Sequence, residues 1–82
     1  MKITISKDAS KGLRRLPHNV AARIQLKIKQ YAQRPASLAN NVTKLQGRNG
    51  FRLRVGDYRM IFEIVGQSMH VLAVGPRGSI YD

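Results

Sequence analysis

The chain has 82 residues, a length that buries a thin core and excludes a deep catalytic cavity. Fifteen Lys and Arg against four Asp and Glu give a formal charge of +11, so the expected partner is a polyanion, nucleic acid before any other. There is no cysteine, hence no disulfide framework and no thiolate zinc site. The start, MKITISKDAS, has no apolar signal region, and runs such as VLAV at 71 to 74 are too short to span a bilayer. These features predict one domain over residues 1 to 82, cytoplasmic and without membrane association.

In chain order, Ile3 and Ile5 alternate with Lys2 and Thr4 as a short strand. Ser6 is placed to cap a helix with Asp8 in its first turn and Arg14 and Arg15 in its last, the order the helix dipole favours, although Gly12 argues against it. Pro17 disfavours a helical Leu16, and a longer helix fits residues 18 to 33. Val20, Ile24, Ile28 and Tyr31 share one face of it, while Arg23, Lys27, Gln30 and Arg34 form a basic stripe on another. Residues 35 to 50, PASLANNVTKLQGRNG, read mostly as loop, with a short strand admissible around VTKL.

From Phe51 onward the period is two. Phe51, Leu53 and Val55 alternate with Arg52 and Arg54, and Gly56-Asp57 suits a two-residue hairpin turn. Tyr58, Met60, Phe62 and Ile64 supply the apolar set of the next strand, and a turn at Gly66-Gln67 leads to a third that carries Met69, Val71 and Ala73. The expected fold is α+β, in the order β-α-α-β-β-β: a twisted antiparallel sheet with two N-terminal helices packed on one face.

This register sets Val55 against Tyr58, Arg54 against Arg59, Leu53 against Met60 and Arg52 against Ile61. Arginines 52, 54 and 59 then share the face away from the helices, and Arg77 approaches from the end of the last strand. Opposed like charges cost a sheet a few tenths of a kcal/mol or more, so the arrangement makes sense where an anion sits among them. His18 reads as a surface or capping residue, and His70 faces Glu63 as a polar pair rather than a catalytic dyad. Four carboxylates and two histidines assemble no convincing metal site or carboxylate pair, and no cofactor is expected.

The segments KLQG (44 to 47), FRLRVGDYRMIFEI (51 to 64) and VLAVGPRGSIY (71 to 81) resemble the RelE/ParE superfamily of bacterial type II toxins over nearly the whole chain. The most specific element is the aromatic-basic-apolar-basic segment followed by G-x-Y-R and later by G-x-R with a tyrosine close behind. The pattern is more similar to RelE, the ribosome-dependent messenger RNA endonucleases, than to ParE, the gyrase poisons. The resemblance matches Arg52 and Arg54 to the paired basic residues before the turn, Arg59 to the arginine after it, Arg77 to the arginine after the last strand and Tyr81 to the C-terminal tyrosine. The best-known RelE pattern has lysines at the first two positions. Arginine keeps its proton above pH ~12, so a lysine-base mechanism does not carry over.

The resemblance implies a metal-independent ribonuclease that cleaves messenger RNA in the ribosomal A site by 2′-hydroxyl attack. In that expectation Arg59 and Arg77 stabilise charge on the phosphoryl oxygens, Tyr81 transfers a proton or stacks on a base, and Arg52 and Arg54 hold RNA. Arg23 and Lys27 of the basic stripe add phosphate contacts. The expected partners are the ribosome with its messenger RNA and a small acidic antitoxin that forms a hetero-oligomer with the toxin. A ParE-like gyrase inhibitor and a non-catalytic RNA- or ribosome-binding protein are the alternatives.

Overall fold

The structure, a computed structural model, describes residues 1 to 79. Strand β1 (Lys2–Ile5) leads into helix α1 (Lys7–Arg14), which is short enough to depend on its cap. The Ser6 hydroxyl accepts from the Ala9 amide at 3.0 Å and donates to the Leu72 carbonyl at 2.9 Å, so one side chain both starts the helix and fastens it to the last strand. Ser6→Ala is expected to lower the unfolding free energy by about 1 to 2 kcal/mol, since it removes a cap and leaves a carbonyl without that donor. Urea denaturation of the variant measures this.

Helix α2 (His18–Gln33) begins directly after Pro17, as the restriction before proline predicts. Its apolar stripe is the core face: Ile24, Ile28 and Ala32 are buried, and Val20 and Tyr31 pack against them. Tyr31 meets Phe62 edge-on at 4.8 Å, and Phe51 stacks on the same ring at 5.5 Å. A 3₁₀ segment (Pro35–Asn41), bent at Leu38, then delivers the chain to the sheet edge.

There β2 (Val42–Lys44) pairs with β3 (Phe51–Val55), followed by β4 (Tyr58–Val65) and β5 (Ser68–Pro76). The short VTK segment is therefore a strand, the fifth of the sheet. Strand order is β1-β5-β4-β3-β2. From β2 to β5 each strand is antiparallel to the next, in the register expected for the first hairpin: Arg54 faces Arg59, and Arg52 faces Ile61. β1 lies parallel to β5, with Ile3 beside Met69 and Ile5 beside Val71, so the sheet is mixed rather than wholly antiparallel. A parallel pair needs a long crossover, and both helices and three strands intervene between these two. The α+β architecture and the covering of one sheet face by both helices are as expected.

Gly56 adopts φ of +60° while Asp57 does not have a positive φ, the signature of a two-residue turn with glycine in its first central position. The second departure from the expected sheet lies in β5. Ile61 pairs with Ala73 but Phe62 pairs with Val71, leaving Leu72 as an extra residue and forming a bulge. Alternation inverts beyond it. Met69 and Val71 bury against the helices, and Val74, not Ala73, continues that face. The apolar set of the last strand is thus Met69, Val71 and Val74, because strict period two cannot register an inserted residue. Among the described residues no helix is long and apolar enough to cross a membrane.

Candidate functional site

The bulge decides which residues reach the outer face of the sheet. With alternation inverted at Leu72, Ala73 and Gly75 lie opposite Ile61 and Arg59, and Arg77, two residues further, arrives on that same side. Its backbone amide donates to the Asp57 carbonyl at 2.7 Å, tying the end of β5 to the β3–β4 turn. Arg52, Arg59 and Arg77, with Gly78, line a cleft of about 290 Å³. A second hollow of about 190 Å³ shares Arg52 and Arg59 and adds Arg54, Asn40, Asn41 and Thr43. Four guanidinium groups from β3, β4 and the segment after β5 therefore meet over one open surface.

Arg59 is held by its own turn. One terminal nitrogen donates to the carbonyls of Gly56 at 3.1 Å and Tyr58 at 3.0 Å, which folds the side chain back over the turn. A guanidinium carries five N–H donors, so this anchoring does not exhaust it. Partial burial lowers its pKa from the ordinary arginine value; repulsion from Arg77, Arg54 and Arg52 adds to that in decreasing order, and Asp57 opposes it. Its charge is held against the local field, and an anion in the cleft would relieve that cost. Arg54→Thr removes the cation directly opposite Arg59 and introduces a good strand former. The variant should melt slightly higher than the wild type, by a few tenths of a kcal/mol to about 1 kcal/mol in stability, with the difference shrinking as salt rises.

The helix stripe stands apart. α2 covers the other face of the sheet, so Lys27 does not join the arginine cleft; it donates weakly to Gln30 Oε1 at 3.4 Å. Arg23 comes nearer, because its guanidinium packs against the β3–β4 turn, within 3.0 Å of where a Cβ on Gly56 would stand. Arg23 thus approaches from the helical side the turn whose Gly56 carbonyl anchors Arg59 on the other. Tyr81 lies outside the described residues. Asn40, Asn41 and Thr43 are site-lining residues that the loop reading of 35 to 50 passed over. The signal was the Asn-Asn pair leading into VTK, a polar approach to an edge strand whose Thr43 sits beside Arg52.

Size alone does not mark the site. A larger groove of about 600 Å³ runs between α1 and the end of β5, lined by Asp8, Lys11, Arg15 and Leu16 among others. Its charges are mixed and its walls partly apolar. The arginine cleft is smaller, yet it concentrates one sign of charge on preorganised donors, the property that recognises phosphate.

Comparison with known proteins bears on the family and the fold. Residues 3–81 match the family described as the ParE toxin of type II toxin-antitoxin system, parDE. The chain is 35% identical over 86 residues to Toxin RelE3 of Methanocaldococcus jannaschii, covering 100% of this chain and 97% of that protein. Its fold superimposes on the archaeal RelE-RelB complex from Pyrococcus horikoshii OT3 with a TM-score of 0.79 at 27% identity, over 96% of this chain and 97% of that one. The RelB-RelE antitoxin-toxin complex from Methanococcus jannaschii matches with a TM-score of 0.75 at 30% identity, over 95% and 94% of the two chains. With family, sequence relative and solved folds in agreement over almost the full length, the chain belongs to the RelE/ParE superfamily of type II toxin-antitoxin toxins.

Proposed function

We propose that this toxin is a metal-independent endoribonuclease that cleaves messenger RNA in the ribosomal A site and so halts translation in the cytoplasm. The observation that carries the reading is the convergence of Arg52, Arg54, Arg59 and Arg77 on two adjoining hollows of one open surface. The 2′-hydroxyl oxygen attacks the adjacent phosphorus and gives up its proton; the bond from phosphorus to the 5′-oxygen breaks, and that oxygen takes a proton. The products are a 2′,3′-cyclic phosphate and a 5′-hydroxyl. Charge builds on the non-bridging oxygens during the step, so fixed guanidinium groups favour the transition state over the ground state. Arg59, braced by the turn carbonyls, and Arg77, tethered beside the turn, supply that charge.

Arg52 and Arg54 hold the flanking phosphates. Arg23 and Lys27 extend the basic surface around the hairpin edge and contribute affinity rather than rate. Arginine does not serve as a general base near neutrality, so proton transfer falls to Tyr81 or to a ribosomal group. A cleft open to solvent fits an enzyme that relies on the ribosome to bring its substrate into line. Two of the relatives of known structure are complexes with a RelB antitoxin, and a basic face of this kind suits a small acidic antitoxin as cognate partner.

The ParE description of the matching family favours a second reading, inhibition of DNA gyrase. The two readings separate cleanly in one experiment. Purified toxin is added to ribosomes stalled on a defined messenger RNA, and to gyrase acting on supercoiled DNA. Cleavage within the A-site codon with a 2′,3′-cyclic phosphate end supports the ribonuclease; intact RNA with gyrase-dependent DNA breaks overturns it.

A further inference from the structure

The same sheet face that carries the arginines bears a second polar group at its other end. On the outer face of β4, Glu63 follows Arg59 and Ile61, and it pairs across the strands with His70, which in turn pairs with Thr4 of β1. The His70 ring nitrogen Nδ1 is hydrogen-bonded to the Thr4 hydroxyl, which fixes the ring and leaves Nε2 as its second polar atom. These three residues rim a shallow hollow of about 340 Å³ that Leu72 also lines. Glu63 is the one carboxylate on a strand among the described residues.

A carboxylate does not belong on a surface that only grips phosphate, because it repels the backbone it would face. It is suited to accept hydrogen bonds from the amino groups of a nucleobase, which lie on the edges that unstacked RNA presents. The apolar Leu72 beside them suits the face of a heterocycle, and the imidazole and hydroxyl supply further donors or acceptors at its rim. The separation is also appropriate. Glu63 stands two residues along β4 from Ile61, the partner of Arg52, about 7 Å at the rise of a strand, and the hollow extends across two further strand spacings, about 10 Å, to His70 and Thr4, so phosphate on the arginines and base in the hollow are within reach of one short single strand of RNA.

We infer that Thr4, Glu63 and His70 form a nucleobase subsite that selects a base bearing an exocyclic amino group (adenine, cytosine or guanine) over uracil, next to the phosphate held by the arginines. The inference rests on the ribonuclease reading for its substrate, but its first test does not need the ribosome. Free toxin is titrated with cytidine and with uridine 3′,5′-bisphosphate while the backbone and imidazole resonances are followed by NMR. Both ligands should perturb the arginine residues equally. The cytidine compound should in addition shift His70 and Thr4 and bind at least about fivefold more tightly, the lower end of what one base-edge pairing discriminates.

Glu63→Gln, close in shape, should abolish that preference while keeping the shared phosphate affinity. In the ribosome assay, messenger RNAs that differ only in the base beside the cleaved bond should show the same loss of discrimination in Glu63→Gln and in His70→Ala. Equal binding of the two bisphosphates by the wild type, or a preference unchanged in Glu63→Gln, overturns the subsite. Loss of the arginine perturbations with both ligands would instead count against the ribonuclease reading, and a preference that persisted at His70 in that case would leave the subsite standing.

Discussion

Alanine in place of Arg59 or Arg77 is expected to slow single-turnover cleavage of ribosome-bound messenger RNA by about 100-fold or more, the cost of removing one preorganised donor from a site of developing charge. The folded state should be almost untouched. Among the described residues Arg59 donates to carbonyls of its own turn, and its loss also removes repulsion with Arg77, Arg54 and Arg52, so the two effects on stability oppose each other. Arg59→Lys keeps the charge but not the fork of parallel donors and should recover only part of the rate. Arg23→Ala and Lys27→Ala are the informative controls, because both residues lie on α2 outside the arginine cleft. They should raise the ribosome concentration needed for half-maximal cleavage while leaving the saturating rate within a few-fold of wild type. A saturating rate as low for Arg23→Ala as for Arg59→Ala, at equal melting temperature, would mean that charge density alone matters and would sink the assignment of a catalytic role to Arg59.

Those arginines were legible from the chain because the hairpin is governed by local rules. Gly56-Asp57 fixes the turn, the turn fixes the register, and period two then assigns Arg52, Arg54 and Arg59 to one face without reference to the rest of the molecule. Arg77 was placed near the patch by its position after the last strand, and its role came from likeness to a family; the structure shows why period alone fails there: the extra residue at Leu72 inverts the alternation four residues before the end of β5. A bulge is a matter of how two strands and a neighbouring cap fit, here including the Ser6 hydroxyl on the Leu72 carbonyl, and nothing in LAV or VLA announces it. The parallel attachment of β1 was hidden for a related reason. Ile3 and Ile5 specify a strand with one apolar face, but its partner lies more than sixty residues away, and pairing at that distance depends on the path the helices take. Asn40, Asn41 and Thr43 were obscured by composition, since residues common in loops say little about which loop borders a charged cleft.

Gly12 is the residue whose meaning changed most between sequence and structure, and it carries the largest stability prediction. Glycine inside a helix costs about 1 kcal/mol relative to alanine, so by propensity alone Gly12→Ala should strengthen α1. The helix, however, lies directly on β5 at this point. A Cβ on residue 12 would stand 2.1 Å from the Val74 carbonyl oxygen and 3.1 Å from its carbon, and both are backbone atoms of a strand paired with β4. A strand so held cannot give way as a flexible side chain would. α1 must lift instead, loosening the contacts of Ala9 and Leu13, both buried in the core. Overpacking of this kind costs about 1 to 3 kcal/mol and sometimes more, and the rigid neighbour places Gly12→Ala at or beyond the upper end even after the propensity gain. In a protein of this size that corresponds to a fall in Tm of about 10 °C or more. Lys11→Ala, one position away and exposed, should shift Tm little. Hydrogen exchange should show the amides of α1 losing protection in Gly12→Ala before those of β3 and β4, because the contact that fails is between α1 and β5. A melting temperature for Gly12→Ala equal to or above that of the wild type would show that α1 does not need this close approach, and that the glycine is there for some other reason.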